Sequence, residues 1–242
     1  MEIKGNKGAG KMLVFECSIK VRVKKDISYE RTGGYLTYFL DSALGKNEDM
    51  LELHNKREYK FYCFDLLYPC EKDRIYKAGN VYTFRLRTVK QELAEYFSKE
   101  LLYHESRELK GVHIDMKIIP NRPLERVYSL TPVIIKGDEG YWKNTLHLEQ
   151  YEERLKVNLL KKYEMLTGEK LEEDFSLYKM IEFKNHVPVK VIYKNIHLLG
   201  DKIILCPSSD ERARELLYMA LGTGLGENNS RGAGFLNYQY VK

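Results

Sequence analysis

From residue 13 to 24 apolar and polar side chains alternate: Leu13, Phe15, Cys17, Ile19, Val21 and Val23 fall on one face, and Glu16, Ser18, Lys20, Arg22 and Lys24 on the other. Period two predicts a strand. After Gly33-Gly34, residues 35–45 place Tyr35, then Tyr38 or Phe39, then Ser42 at helical spacing and stop near Gly45, which predicts a short helix. Residues 59–67 and 81–87 read as two more strands, the second with Tyr82, Phe84 and Leu86 on one side and Arg85 and Arg87 on the other. Thr88-Val89-Lys90-Gln91 has the form of a capping box and predicts a helix turning Leu93, Tyr96, Phe97 and Leu101 inward. Residues 112–118 alternate again, with Val112, Ile114, Met116 and Ile118 on one face. The order is β-α-β-β-α-β, and Pro120-Asn121-Arg122-Pro123 then breaks it.

The same order is written a second time. Residues 127–136 read as a strand, and 145–166 as a helix with Leu148, Tyr151, Leu155 and Leu159 in register before Gly168. Residues 179–186 and 189–199 follow as strands, the latter running as a hairpin into 203–205. Ser208-Ser209-Asp210-Glu211 opens a helix carrying Ala213, Leu216, Leu217, Ala220 and Leu221, and 235–241 closes the chain as a strand. The expected fold is α+β: two tandem ferredoxin-like (βαββαβ) domains, 12–121 and 122–242, each an antiparallel sheet with helices on one face. Residues 1–11 are expected to form a flexible leader.

Charge and cysteine usage narrow the setting. Against 40 Lys plus Arg stand 35 Asp plus Glu, a net charge of +5, a mild basic bias compatible with a polyanionic partner. The four cysteines, Cys17, Cys63, Cys70 and Cys206, form no C-x-x-C pair, so a reduced, cytoplasmic protein is expected. No apolar run is long enough to span a membrane, and no membrane association is expected. Gly5-Asn6-Lys7-Gly8-Ala9-Gly10-Lys11 imitates a nucleotide phosphate loop, but Met12 replaces the magnesium-binding Ser or Thr and no strand precedes it. The histidines show no ligand spacing such as H-x3-H; neither a metal nor another cofactor is expected.

Between the last helix and the last strand lies Gly224-Leu225-Gly226, five residues, then Gly232-Ala233-Gly234. Such glycine density suits a loop that brings main-chain N–H groups close to an anion. Asn228, Asn229, Ser230 and Arg231 add amide, hydroxyl and guanidinium groups for sugar and phosphate. This G-h-G-x5-G-h-G loop, in a tandem ferredoxin-like layout, resembles the RAMP superfamily of CRISPR-associated RNA-binding proteins. Within it the chain is most similar to the endoribonucleases that cut precursor CRISPR RNA inside each repeat. Residues 59–64 and 129–134 look like two of that family's strands.

The resemblance implies metal-independent cleavage: the substrate's 2′-hydroxyl attacks the adjacent phosphorus, leaving a 2′,3′-cyclic phosphate and a 5′-hydroxyl. That reaction needs a group on the 2′-hydroxyl, a cation beside the phosphorane and an acid for the leaving oxygen. Of the family's Tyr-His-Lys trio, His54 and Lys60 match; for the tyrosine, Tyr38 and Tyr35 both stand on the first helix. Histidine exchanges protons near neutrality, and lysine supplies a point charge. Outward Arg22, Arg85 and Arg87 join the loop, Gly224 to Gly234, as expected contacts to single-stranded or hairpin repeat RNA. Lys161 and Lys162 are assigned to a solvated helix face. A non-cutting RAMP subunit and a metal-dependent phosphodiesterase are the rival readings. A CRISPR effector complex and a second copy of the chain are further partners that the resemblance admits.

Overall fold

A computed structural model describes residues 12–56, 58–137, 140–193 and 196–242, apart from the side chains of Leu53, His54 and Tyr193. The expected leader and the phosphate-loop imitation at 5–11 lie outside the described residues. The first sheet is built from β1 (Val14–Val23), β2 (Tyr62–Phe64), β3 (Val81–Thr88) and β4 (Leu109–Ile119), in the antiparallel order β2-β3-β1-β4. Helices α1 (Thr32–Leu44) and α3 (Gln91–Glu100) cover one face, separated in sequence by the strands as a split β-α-β unit requires. Cys17, Ile19 and Val21 of β1 meet Phe84 and Leu86 of β3 beneath Leu36, Phe39 and Leu40 of α1 and Phe97 of α3. Each such fully buried side chain contributes about 1.5–3 kcal/mol.

The second sheet repeats the order: β5 (Leu124–Ser129), β6 (Tyr178–Phe183), β9 (Ile203–Pro207) and β10 (Leu236–Tyr240) run β6-β9-β5-β10. Between β6 and β9 a separate two-stranded hairpin is inserted, β7 (Val189–Tyr193) with β8 (Ile196–Gly200). Helices α4 (Leu148–Thr167) and α5 (Glu211–Thr223) bury Tyr151, Leu155, Leu159, Leu216, Leu217 and Leu221. The fold is therefore the expected α+β pair of ferredoxin-like units. Among the described residues no helix is long and apolar enough to cross a membrane.

The two units share a seam. The Tyr218 hydroxyl on α5 accepts from the Val14 amide at 3.2 Å and donates to the Ile119 carbonyl at 2.7 Å, tying the paired start of β1 and end of β4 to the second unit's helix. The Cys63 thiol on β2 donates to the carbonyls of Leu221 and Gly222.

Several local expectations are corrected. The strand expected over 59–67 shrinks to three residues, because Phe61 takes a left-handed backbone (φ 53°) that ends the ladder. The strand expected over 127–136 ends at Ser129; beyond it single bridges join Val133 to Asp201 and Ile134 to Glu227, and Lys136–Gly137 pairs with Gly140–Tyr141 as a short hairpin. An unexpected helix, α2 (Glu48–Asn55), follows α1, its N-terminus held by the Asn47 side chain accepting from the Met50 amide. The box at 88–91 is absent as such: Lys90 is the N-cap, and Thr88 instead accepts from the Lys90 amide. The box at 208–211 starts two residues later, at Asp210, whose side chain accepts from the Arg212 amide. On α1 the inward stripe is Leu36, Phe39, Leu40 and Ala43, which turns Tyr38 out to solvent at 58% exposure. On β4 the alternation is present, but Val112, Met116 and Ile118 are exposed, since β4 is an edge strand and only its first residues, with Leu109 in the core, are fully covered.

Candidate functional site

The glycine loop begins where α5 ends, with Gly224 at φ +78°, and returns through a short turn, Asn229–Arg231, into β10. Its glycines are buried and shape the loop inward. A Cβ on Gly234 would stand 1.9 Å from the Leu225 carbonyl oxygen, and one on Gly224 would stand 2.5 Å from the Asn229 amide. Buried Asn229 is the loop's hub: its amide donates to the carbonyls of Leu225 and Ala233, and its oxygen accepts from Lys162 at 2.7 Å. The same ammonium donates to the carbonyls of Gly224 (2.8 Å) and Gly226 (3.0 Å). Lys162 is thus no solvated residue, as the sequence suggested, but is 2% exposed. Burial pulls its ammonium down to about 7, while three oxygen acceptors match its three protons.

The loop's outward side is narrow. Asn228, Ser230 and Arg231 are half-buried, whereas Gly224, Gly226, Asn229, Gly232 and Gly234 turn away from the surface. Asn228 and Ser230 line a cavity of about 490 Å³ whose opposite wall is Glu58, Tyr59, Lys60 and Phe61, so the expected cation of the first unit and the expected grip of the second share one space. The left-handed Phe61 that cuts β2 short leaves Lys60 in the approach to that strand rather than in its ladder. Lys60 donates to the Lys56 carbonyl. Burial, and then the nearby charge of Arg231, lower its ammonium, with Glu58 and Asp41 opposing.

Arg231 pairs with Asp41 on α1, linking the glycine loop to that helix. Asp41 also lines a second, larger cavity of about 860 Å³ with Tyr35, Tyr38, Arg31 and Arg107, whose far wall is Ile192 and His197 of the inserted hairpin. Tyr35 is half-buried, with the Lys25 ammonium 5.6 Å from its ring centre. His54 lies in the last turn of α2 rather than in a loop; its side chain is outside the described residues.

The three strand arginines part company. Arg22 is exposed and donates to the Gly79 carbonyl. Arg85 pairs with Asp65 at 2.7 Å and lies over the Phe235 ring. Arg87, expected to face outward, is 1% exposed: it pairs with Glu16 at 2.6 Å, donates to the Leu236 carbonyl and stacks on Phe235. The second unit closes over that face of the first sheet, so Arg87 joins the units instead of presenting a surface. Asp41 and Lys162 were missed by sequence reasoning. Lys162 had a legible signal, since it continues the buried stripe of Tyr151, Leu155 and Leu159 three residues on.

Two ferredoxin-like sheets thus meet at a seam that carries a self-buttressed glycine loop. Residues 119–238 match the family model described as CRISPR associated protein Cas6, C-terminal, so the second unit of the chain is a Cas6 carboxy-terminal domain. No match was found among curated protein sequences. Among solved structures, a CRISPR associated protein Cas6 is 21% identical, with a TM-score of 0.70 over 93% of this chain and 99% of that one. An RAMP protein binding different RNA substrates is 16% identical, with a TM-score of 0.70 over 93% and 99%. A Cas6 of Thermus thermophilus in a product complex is 16% identical, with a TM-score of 0.62 over 94% and 100%.

Proposed function

We propose that this chain is a metal-independent endoribonuclease that cuts precursor CRISPR RNA within the repeat, the substrate's 2′-hydroxyl attacking the neighbouring phosphorus. One observation carries the reading: Lys60 and the outward residues of the glycine loop line the same cavity, with Arg231 near enough to depress the Lys60 ammonium. Arg231 is already paired with Asp41, and Glu58 and Glu227 line the cavity beside Lys60, so a phosphodiester there would draw on the Lys60 ammonium in competition with these carboxylates. In this reading Lys60 stabilises the phosphorane oxygens, where partial burial makes each charge more effective than in water. Asn228 and Ser230 hold sugar or phosphate from the other side. His54 moves the proton, and Tyr38, with Tyr35 as the other candidate, orients the 2′-hydroxyl from α1. The relatives described as a Cas6 product complex and as an RAMP protein binding RNA substrates support repeat-RNA processing as the family's business.

The test is cleavage of a CRISPR repeat RNA by the purified chain in EDTA. We expect products ending in 2′,3′-cyclic phosphate and 5′-hydroxyl, and no cleavage when the scissile nucleotide is 2′-deoxy. Lys60→Ala should slow single-turnover cleavage by roughly 10²–10³-fold, as loss of a preorganised electrostatic contact does, and His54→Ala should abolish it while RNA binding persists. A requirement for magnesium would refute the chemistry. Tight binding without cleavage by the unaltered chain would establish the non-cutting RAMP reading instead.

A further inference from the structure

Among the described residues one arginine and one lysine are buried, Arg87 and Lys162, and the fold treats them differently. Arg87 has the Glu16 carboxylate at 2.6 Å. Lys162 has only uncharged acceptors: the carbonyls of Gly224 and Gly226 and the side-chain oxygen of Asn229. The titratable groups that face its ammonium do not supply the missing charge. The Tyr59 ring, from the segment before β2, stands 5.6 Å away, and burial makes its phenol harder to ionise. On β2 the Cys63 thiol is pushed up to about 12 by burial and stays neutral. Glu227, on the loop itself, attracts the ammonium, but its carboxylate accepts from the Lys136 amide at 3.2 Å.

A buried charge ordinarily has a charged partner, because hydrogen bonds to neutral groups repay only part of its lost hydration. Two of the three acceptors, Gly226 and Asn229, also line the 490 Å³ cavity opposite Lys60, so the uncompensated ammonium stands behind that cavity's wall. At the wall itself Lys60 shares the space with the carboxylates of Glu58 and Glu227, and an incoming phosphate needs more positive charge than Lys60 alone provides. We infer that Lys162 is a second cation for the RNA phosphate that enters this cavity, acting across the glycine loop, and that RNA binding draws a proton from solution onto its amine. The inference rests on RNA binding in the cavity and not on its being cut. Without RNA, burial holds this ammonium down to about 7. A phosphate across the loop favours the charged form, so the amine is more basic in the complex than in the free chain. By reciprocity RNA binds the protonated chain more tightly: affinity is level below the free value and falls as pH rises above it.

The experiment is isothermal titration calorimetry of the full-length chain with a CRISPR repeat RNA, 2′-deoxy at the scissile nucleotide wherever cleavage is found. Buffers of different ionisation enthalpy read the protons exchanged. At pH 8 the parent should take up roughly 0.5–1 proton per RNA more than Lys162→Met does, and at pH 6 the two should agree. From pH 7 to 8 the parent's dissociation constant should rise severalfold more than the variant's, with about tenfold as the ceiling for one proton. Lys162→Arg keeps a charge that does not titrate; it should bind RNA at pH 8 better than Lys162→Met, without the extra proton. Melting curves show that each variant is folded, and Lys162→Arg carries the comparison if Lys162→Met is not. A parent that takes up no proton at pH 8 overturns the inference. So does equal uptake by Lys162→Met, which would assign the proton to another group such as Lys60 or His54. RNA that binds at neither pH refutes the RNA reading and this inference together, whereas Lys162-dependent uptake without any cleavage upholds the inference and refutes only the cutting.

Discussion

Replacing Arg87 by methionine keeps most of the side chain's bulk and removes its charge. The guanidinium is buried between the two units, 2.6 Å from Glu16, bonded to the Leu236 carbonyl and stacked 4.4 Å from the Phe235 ring centre. Glu16 is itself 5% exposed and would be left with Lys117 alone, a mostly exposed partner at 3.1 Å. Stranding one member of a buried pair costs about 3–5 kcal/mol, and for a chain of this size each kcal/mol lowers the melting temperature by roughly 2–4 °C. Arg87→Met should therefore melt roughly 6–20 °C below the parent, read by calorimetry at pH 7. Adding Glu16→Leu removes the stranded carboxylate and should return more than half of the loss. The reasoning fails if Arg87→Met costs under about 1 kcal/mol, or if the double variant is no better than the single.

Acidity reads the same pair. Burial raises Glu16, but Arg87 and Lys117 together hold it below its ordinary 4.5. The pair's contribution is therefore complete above pH 4.5 and is lost as pH falls through the lower folded value, so urea unfolding of the parent and of Arg87→Met should converge in acid. Lys162→Met should weaken repeat-RNA binding roughly tenfold, about the 1.4 kcal/mol expected when a loop's hub is lost, and filter binding checks it. Because burial depresses Lys162 from 10.5 to about 7, the folded form sheds this proton first; the parent should gain stability between those pH values and Lys162→Met should not. Gly234→Ala, with φ +66° and a carbonyl oxygen 1.9 Å from the new methyl group, should cost more than about 2 kcal/mol; Gly79→Ala, at φ +86° with nothing within 4 Å, should cost only about 1. Equal losses at the two glycines would show that crowding at Gly234 is relieved by small shifts.

The architecture was legible because period two and period 3.6 report which face is buried, and both sheets needed one buried face. Strands β1 and β3 were readable that way; the hairpin of β7 and β8 was not, because 189–199 reads as one strand running on into 203–205 whereas the chain turns back on itself between Tyr193 and Ile196. The misreadings are non-local. Arg85 and Arg87 share one alternation, yet Phe235 and Leu236, some 150 residues on in the chain, close over Arg87. Nothing in 59–67 announces the left-handed Phe61 that cuts the strand short. The exposure of Met116 and Ile118 follows from the edge position of β4, which no alternation records. Helix α2 did leave a trace, Asn47 before Glu48 and Asp49, masked by its polar composition. At the site, residue types pointed to Lys60 and the loop; the carboxylate that sits between them, Asp41, carried no signal beyond being one turn from Tyr38.

That carboxylate gives the loop's only outward guanidinium among the described residues an internal counter-ion before any nucleic acid arrives. An incoming backbone must compete with a tethered anion, and the exchange releases fewer small cations than neutralising a bare arginine would. Added salt should therefore erode this contact less steeply than it erodes contacts to freely solvated lysines. Stray polyanions that reach Arg231 without filling the rest of the groove gain little from the encounter.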